Sequence, residues 1–314
     1  MTQGLVIYSG RNRPDLTPVY NLFEKLTQTQ IVVEKIYHHV VGQRVIAERN
    51  APCADLLLTN SQLAVEMIRD AGVFEPYPAP VAQAYPEWLR APDYSWLSFT
   101  AWPRVAMINR AVLPDPAEWP RRLEDLTEPR FKHRVACAAL VEMTTVAQFA
   151  GLRVVKGDAW TENLIARLRA NDMRVYPSNL DTREALIQEG LAAAFANSSN
   201  AHVFYLEGNP VAEAWLDQDD GDVGTHVEAH TVAVLRGCGH PAAARDFIDF
   251  LLSPEIQSFL ARLYGETPVN AEAVHGWVRP LAQIRRVDAP LQALVRRMES
   301  TVELLRGAGF DARE

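Results

Sequence analysis

The chain has 314 residues, which corresponds to about two domains at roughly 150 residues per domain. Hydrophobic residues make up 48% and charged residues 22%, values typical of a folded globular protein, so a disordered or fibrous chain is excluded. With 31 basic and 39 acidic residues the net charge is −8, and so acidic a chain lacks the basic surface of a nucleic-acid-binding protein. No apolar run approaches the ~18 residues of a membrane span. We therefore expect neither a nucleic-acid partner nor a membrane-spanning segment.

The first part of the chain alternates short apolar segments with amphipathic ones. Strands are predicted at residues 5–8, 31–36 and 54–58, and the first and third are followed by polar turns. This alternation predicts an α/β domain with a mainly parallel sheet. In such sheets ligands bind beyond the carboxyl ends of the strands, so Ser9–Asn12 and Thr59–Ser61 are expected at a binding edge.

The remainder predicts a second α/β unit and a helical end. A strand at residues 104–109 follows a proline-rich connection, and further strands are predicted at 135–141, 192–196 and 232–235. Two successive helices follow. The second is expected to begin at Pro254, because proline directly after a serine is typical of a helix start.

Four segments, taken in order, carry a family resemblance: Val6–Gly10, Ala54–Leu58, Gln188–Phe195 and, most specifically, Ala242–Gln257. Together they resemble type 2 periplasmic solute-binding proteins of ABC transporters, in the branch of the ferric-iron receptors. The similarity extends from residue 4 to about residue 300. It implies a two-lobed α/β fold with mixed, mainly parallel sheets and a ligand cleft between the lobes.

The resemblance also implies a domain plan and a role. Lobe 1 would contain residues 1–104 and 229–275, lobe 2 residues 105–228, and residues 276–314 would form C-terminal helices packed on lobe 2. The implied role is that of a monomer that captures a small-molecule solute by lobe closure and delivers it to the permease subunits of an ABC importer. The implied location is the periplasm. No secretory signal precedes the first strand, so a cytoplasmic or sensor-coupled solute-binding module is kept as an alternative.

The sequence departs from the iron branch at four ligand positions. Iron receptors of this branch hold ferric ion with an adjacent tyrosine pair, helped by a histidine and a glutamate. Here the matching positions carry Ser199, Asn200, Asn12 and Asn60. Neutral hydroxyls and amides compensate poorly for a trivalent cation. We therefore predict neither tyrosinate-bound iron nor a cofactor.

The same polar residues suit a different ligand. Hydroxyls, amides and helix N-termini bind a small polar or anionic organic solute, for example a phosphorylated or polyhydroxylated compound. Trp102 stands where the family often has an arginine, and Arg104 remains nearby. The candidate ligand-binding residues are Ser9, Arg11, Asn12, Thr59, Asn60, Ser61, Trp102, Thr144, Thr145, Ser198, Ser199, Asn200, His202 and Glu228.

A second possibility within the family is a metal held without tyrosine. His226, Glu228 and His230 alternate along a predicted strand, so they would point to one face. Two imidazoles and a carboxylate can bind a divalent metal. The alternative interpretation is that Glu228 and one histidine bind the solute or stabilise the hinge.

The sequence contains no motif of a common enzyme class. It has no GxSxG, no Walker loop and no GxGxxG that opens a helix. Its three cysteines form no CxxC pair, so no zinc site is predicted from them. We therefore expect a binding protein rather than an enzyme.

Overall fold

The computed structural model describes residues 4–11 and 15–311, and the chain divides into two compact units. Unit 1 comprises residues 1–101 and 228–281, and unit 2 comprises residues 102–227 and 282–314. The predicted lobe boundaries lie within a few residues of these changes of unit. The predicted C-terminal segment is divided, because residues 276–281 belong to unit 1 and only the rest belongs to unit 2.

The described residues form strands and helices in alternation. The strands are β1 (Leu5–Ser9), β2 (Ile31–Lys35), β3 (Leu56–Thr59), β4 (Phe74–Glu75), β5 (Leu97–Asn109), β6 (Val135–Ala138), β7 (Arg174–Tyr176), β8 (Ala193–Asn197), β9 (Val211–Ala214), β10 (Val227–Leu235) and β11 (Thr267–Pro268). The helices are α1 (Thr17–Thr27), α2 (His38–Ala47), α3 (Gln62–Arg69), α4 (Met143–Lys156), α5 (Asp158–Ala170), α6 (Asn179–Gln188), α7 (Ser198–Leu206), α8 (Pro241–Leu252), α9 (Pro254–Tyr264) and α10 (Leu291–Gly307).

The sheet of unit 1 has a parallel part and an antiparallel part. β1 lies between β2 and β3 and is parallel to both, as the alternation of strands and helices predicts. β10 returns antiparallel to β3, and β11 pairs with the first part of β5. Because β1 and β3 run in the same direction, the loops that follow Ser9 and Thr59 lie at the same edge.

The sheet of unit 2 is also mixed. β6 is parallel to both β7 and β8, whereas β8 and β9 pair antiparallel with the second part of β5. The carboxyl ends of β6 and β8 therefore lie at one edge. Helix α4 begins shortly after β6, and α7 begins directly after β8, so the N-termini of both helices lie at that edge.

Two strands are longer than predicted. β5 begins at Leu97 rather than at residue 104, and β10 begins at Val227 rather than at residue 232. Every residue of β5 is buried, although Ser98, Thr100 and Pro103 interrupt its apolar pattern. Polar side chains inside a buried strand removed the hydrophobic signal on which the prediction relied.

An aromatic cluster connects α1 to α8 in unit 1. The ring of Phe23 meets the edge of Phe247 at 5.1 Å between centroids, and Phe250 lies 5.3 Å from Phe23. Phe247 is completely buried, and Tyr20 packs against it at 6.0 Å. Edge-to-face aromatic pairs of this kind stabilise a core beyond the area that they bury.

Shortening Phe247 tests this core. We expect Phe247→Ala to lower the free energy of unfolding by about 3–5 kcal/mol, because it leaves a cavity among rings that cannot collapse into it. Phe250→Ala is the matched control and should cost clearly less, because Phe250 is partly exposed. Urea denaturation followed by circular dichroism measures both, and equal losses would contradict the assignment of Phe247 to the centre of the cluster.

Helix α10 supports the helix that reaches the binding edge of unit 2. The guanidinium of Arg153 on α4 donates hydrogen bonds of 3.0 Å to the hydroxyls of Ser300 and Thr301 on α10. The rings of Phe149 and Phe310 meet edge to face at 5.6 Å between centroids. These contacts hold α4 in place.

Candidate functional site

A buried arginine gathers the polar residues at the binding edge of unit 2. Arg104 on β5 is 1% exposed, and its Nε donates to Oε1 of Gln148 at 3.1 Å. Its Nη1 donates to Oδ1 of Asn197 at 2.8 Å and to Oδ1 of Asn179 at 3.4 Å. Gln148 lies on α4, Asn179 opens α6, and Asn197 is the residue before α7. A single guanidinium thus joins the beginnings of α6 and α7 to the second turn of α4.

Three further polar side chains lie beside these anchor residues. Thr144 precedes Gln148 by four residues on α4, and Ser198 directly follows Asn197. His202 follows Ser198 by four residues, so the two share one face of α7. We call the set Arg104, Thr144, Gln148, Asn179, Asn197, Ser198 and His202 the unit-2 polar cluster.

Three buried polar atoms of this cluster are available to a ligand. Ser198 Oγ, Thr144 Oγ1 and His202 Nε2 have no hydrogen-bond partner among the described residues, and Ser198 is 2% exposed. A buried polar atom without a partner is costly, so the three atoms together make this cluster the candidate ligand site of unit 2. The N-termini of α4, α6 and α7 add positive potential there.

The electrostatics favour a neutral histidine in the cluster. Burial lowers the pKa of His202, because a charged imidazole loses solvation there. At neutral pH the ring therefore offers one nitrogen as a donor and the other as an acceptor. A neutral imidazole next to hydroxyls can bind both an anionic oxygen and a hydroxyl group.

The remaining candidates of unit 2 take different positions. Ser199 is buried and Asn200 partly exposed in the first turn of α7, where the resemblance places the iron-binding tyrosines. Thr145 is completely buried in the first turn of α4, and its hydroxyl donates to the carbonyl of Ala138 at the end of β6 at 3.1 Å, which connects the helix to the strand. Trp102 is almost fully buried in β5.

Two candidate residues of unit 1 stabilise the turn after β1. Ser9 Oγ accepts a hydrogen bond from the N–H of Arg11 at 3.3 Å and donates to the carbonyl of Arg11 at 3.2 Å. The guanidinium of Arg11 forms an ion pair with Glu266. The structure thus uses both residues internally, and the candidate Asn12 lies outside the described residues.

In the loop after β3, polar candidate side chains also form hydrogen bonds within the protein. Thr59 Oγ1 lies 2.6 Å from the hydroxyl of Thr231 on β10, and Ser61 Oγ accepts from the N–H of Leu63 at 3.1 Å. Ser61 therefore caps α3, as the polar turn predicts. Asn60, between them, is partly exposed.

The histidines near the crossover belong to two different units. His226 lines a small interior cavity of unit 2 together with Arg104 and Gln148. Glu228 and His230 belong to unit 1, where Nδ1 of His230 lies 3.4 Å from a carboxylate oxygen of Glu266. No group of three or more His, Cys, Asp or Glu side chains placed to hold a metal occurs within residues 4–11 and 15–311. The metal alternative built on this segment therefore stays a prediction.

The sequence interpretation missed three members of the unit-2 polar cluster. Gln148, Asn179 and Asn197 hold Arg104, yet none was a candidate. Two of them carried a local signal, because asparagine at the end of a strand or at the beginning of a helix is typical of a binding edge. Gln148 could have been found from its spacing, since it lies one helical turn beyond Thr144.

The chain belongs to a known family. Residues 51–289 match the family described as bacterial extracellular solute-binding protein. Relatives include "Iron uptake protein A1" of Synechocystis, 26% identical over 86% of this chain and 76% of its own length. The "Fe(3+)-binding periplasmic protein" of Serratia marcescens is 25% identical over 98% of this chain and 91% of its own length.

Solved structures show the same fold. Iron-bound HitA from Pseudomonas aeruginosa has a TM-score of 0.84 at 21% identity, covering 98% of this chain and 99% of its own. The periplasmic binding protein AfuA from Actinobacillus pleuropneumoniae, with fructose-6-phosphate bound, has a TM-score of 0.79 at 18% identity over 98% and 99% of the two chains. The prediction of a two-lobed type 2 solute-binding fold like that of the ferric-iron receptors is confirmed.

The class of the protein follows from this membership. It is a substrate-binding protein of the ABC-importer type, from a family whose members are extracellular or periplasmic solute-binding proteins rather than enzymes. Within the described residues, no helix is both long and apolar enough to cross a membrane.

The buried histidine of unit 1 makes stability depend on pH. Burial lowers the pKa of His230, and the neighbouring Arg11 lowers it further against the opposing effects of Glu266 and Glu228. Unfolded histidine takes up a proton near pH 6.5, whereas the buried ring does not. The contribution of the neutral His230 to the free energy of unfolding is therefore fully present above about pH 6.5. This contribution is lost as the pH falls below that value, at up to about 1.4 kcal/mol per pH unit.

A single substitution isolates this effect. Between about pH 6.5 and pH 5 the free energy of unfolding should fall less steeply in His230→Asn than in the wild type, because asparagine does not titrate. The difference in slope corresponds to up to about one proton. Urea denaturation at several pH values measures the slope for both proteins. His133→Asn, at an exposed histidine, is the matched control and should leave the slope unchanged. Parallel slopes for the wild type and His230→Asn would contradict a neutral buried His230.

Proposed function

We propose that this protein captures a small polar or anionic organic solute, such as a phosphorylated or polyhydroxylated compound, for an ABC importer. The observation that carries the proposal is the unit-2 polar cluster, in which Ser198 Oγ, Thr144 Oγ1 and His202 Nε2 are buried without a partner among the described residues. An anionic group can accept hydrogen bonds from the two hydroxyls and from helix N–H groups. A hydroxyl of the solute can pair with the neutral imidazole. The positive charge of Arg104 favours the anionic group.

The proposed role involves no chemistry on the solute. The protein binds its ligand outside the cytoplasm and hands it to the transmembrane permease subunits. Membership of an extracellular solute-binding family supports this location and this partner. The alternative of a cytoplasmic or sensor-coupled module has no comparable support.

The donor set of unit 2 supports an organic solute over bare ferric ion. Relatives are named for iron, but the two positions where the resemblance places tyrosines carry Ser199 and Asn200. Neither side chain supplies the anionic oxygen that a trivalent cation requires. This chain could still bind iron through other side chains, so the experiment below includes a ferric ligand.

The first experiment identifies the ligand class. Native mass spectrometry of the purified protein should show a bound organic species, and calorimetric titration compares fructose 6-phosphate, inorganic phosphate and ferric citrate. We expect the sugar phosphate to bind more tightly than ferric citrate, with no visible tyrosinate charge-transfer band on iron addition. Stoichiometric iron binding with a strong visible band, or no binding of any organic anion, would overturn the proposal.

Variants of the unit-2 polar cluster test where the ligand binds. Arg104→Gln should weaken binding of the anionic probe by roughly 10- to 100-fold, because hydrogen bonds to charged groups contribute about 1.5–3 kcal/mol. Ser198→Ala should weaken it by roughly 2- to 10-fold. The control is Thr27→Ala, which removes an exposed hydroxyl at the end of α1 in unit 1. Equal affinities for Ser198→Ala, Arg104→Gln and the control would place the ligand elsewhere.

A further inference from the structure

His202 in the unit-2 polar cluster has a different environment from the buried histidine of unit 1. Nδ1 of His230 lies 3.4 Å from a carboxylate oxygen of Glu266 and 2.9 Å from the hydroxyl of Thr100. Nε2 of His202 is buried without a hydrogen-bond partner among the described residues. The protein thus supplies partners to the ring of His230, whereas one ring nitrogen of His202 is open to a ligand.

A buried hydroxyl lies on the same face of α7 as this ring. Ser198, four residues before His202, opens the helix and is 2% exposed. Its Oγ also has no hydrogen-bond partner within the described part of the chain. The first N–H groups of a helix have no partner inside the helix, so they favour an anion at this end. An anionic group that accepts a hydrogen bond from Ser198 Oγ would therefore lie close to the imidazole of His202.

The elements that pack against α7 bring carboxyl and guanidinium groups near it. β8 contains only alanine, phenylalanine and asparagine, whereas β9 contributes Glu213, whose pKa burial raises to about 7. From α6 the guanidinium of Arg183 lies 4.7 Å from the ring centroid of Phe204 and pairs with Glu207 at 3.2 Å. Burial, rather than any of these charges, lowers the pKa of His202.

Arg104 brings a positive charge to the same edge of unit 2. Its Nη1 donates to Oδ1 of Asn197, the residue before α7, at 2.8 Å. A phosphate monoester carries a charge of about −1.5 to −2 at pH 7, so one guanidinium balances only part of it. An opposite charge within about 4–6 Å favours the charged form of an imidazole. A bound phosphate would therefore favour a second positive charge at His202.

We propose that His202 is a specificity-determining residue, which is neutral in the free protein and takes up a proton from the solvent when a phosphate monoester binds. One N–H bond forms on the imidazole, and no bond of the solute changes. The imidazolium then donates from Nε2 to a phosphate oxygen and, together with Arg104, balances the charge of the phosphate. This role rests on the proposed function, because it concerns the same site. It makes the site prefer dianionic solutes to neutral ones.

Solute affinity should then depend on pH. Burial keeps the pKa of His202 in the free protein below its usual value of about 6.5, whereas a bound phosphate raises that pKa. As the pH falls from about 8, the ring is protonated first in the complex, so the affinity rises by up to about 10-fold per pH unit. The phosphate itself takes up a proton at about pH 6, so the range from about pH 8 to about pH 6.5 reports mainly on the histidine.

The experiment compares the wild type with His202→Gln, which keeps a hydrogen-bonding side chain but does not titrate. Calorimetric titration with fructose 6-phosphate measures the affinity of both proteins from about pH 8 to about pH 6.5. We expect the affinity of the wild type to rise by roughly 3- to 30-fold over this range and that of His202→Gln by less than about 2-fold. Titration of the phosphate or of Glu213 affects both proteins equally, so the difference isolates His202.

Nuclear magnetic resonance observes the ring directly. In protein labelled with ¹⁵N-histidine, the His202 signals are assigned by their absence from His202→Gln. We expect a neutral imidazole in the free protein at about pH 7.5 and a ring with both nitrogens protonated after addition of fructose 6-phosphate. His133→Gln, at an exposed histidine beside Asp172, is the matched control and should keep the pH dependence of the wild type.

The outcomes separate this role of His202 from the proposed function. Parallel pH profiles for the wild type and His202→Gln, or an imidazole that stays neutral in the complex, would overturn the role while the sugar phosphate still binds. If the wild type binds no organic anion, the proposed function fails, and the role of His202 fails with it. A flatter profile in His202→Gln together with a charged imidazole in the complex supports the role.

Discussion

A buried guanidinium needs both its hydrogen bonds and a balance for its charge, and each unit of this protein contains one near the edge where its strands end. In unit 1 Arg11 faces the carboxylate of Glu266, so its charge is balanced within the protein. In unit 2 Arg104 is held by the amide oxygens of three side chains. Amide oxygens satisfy hydrogen bonds without neutralising a charge. The two guanidiniums therefore organise the polar side chains around them differently, one through a carboxylate and the other through amide oxygens.

The fold was predictable where its determinants are local. The start of α9 follows from Ser253 and Pro254, because the serine caps the helix and the proline occupies a first-turn position that needs no amide hydrogen. The cap of α3 at Ser61 is equally local. The first half of β5 was missed for the opposite reason. Its Ser98 and Thr100 are buried by strands that are far away in the sequence, so the residues around them do not predict their burial.

The candidate site also combines features that local sequence predicts with features that depend on distant residues. Thr144 and Ser198 were candidates from the sequence, and the structure places them in the first turns of α4 and α7, where their buried hydroxyls have no partner among the described residues. The candidate Thr145 is turned by about 100° around the helix from Thr144, and its hydroxyl donates instead to the carbonyl of Ala138 at the end of β6. The ion-pair partner of Arg11, Glu266, could not be found from local sequence. That partner lies 255 residues away, a separation at which spacing carries no information.

The residues that determine the fold of this family differ from those that determine its ligand, so the ligand can change while the fold is kept. The fold depends on buried strands and on helix packing, such as the contact of Phe23 with Phe247, and these tolerate few changes. The ligand positions of unit 2 lie in the first turn of α7, where serine and asparagine are as acceptable as tyrosine because that turn leaves its N–H groups unused by the helix. Ser199 and Asn200 can therefore replace phenolate donors at little cost to the scaffold. Such a replacement exchanges anionic oxygens for neutral ones, so the scaffold alone does not fix the charge of the ligand.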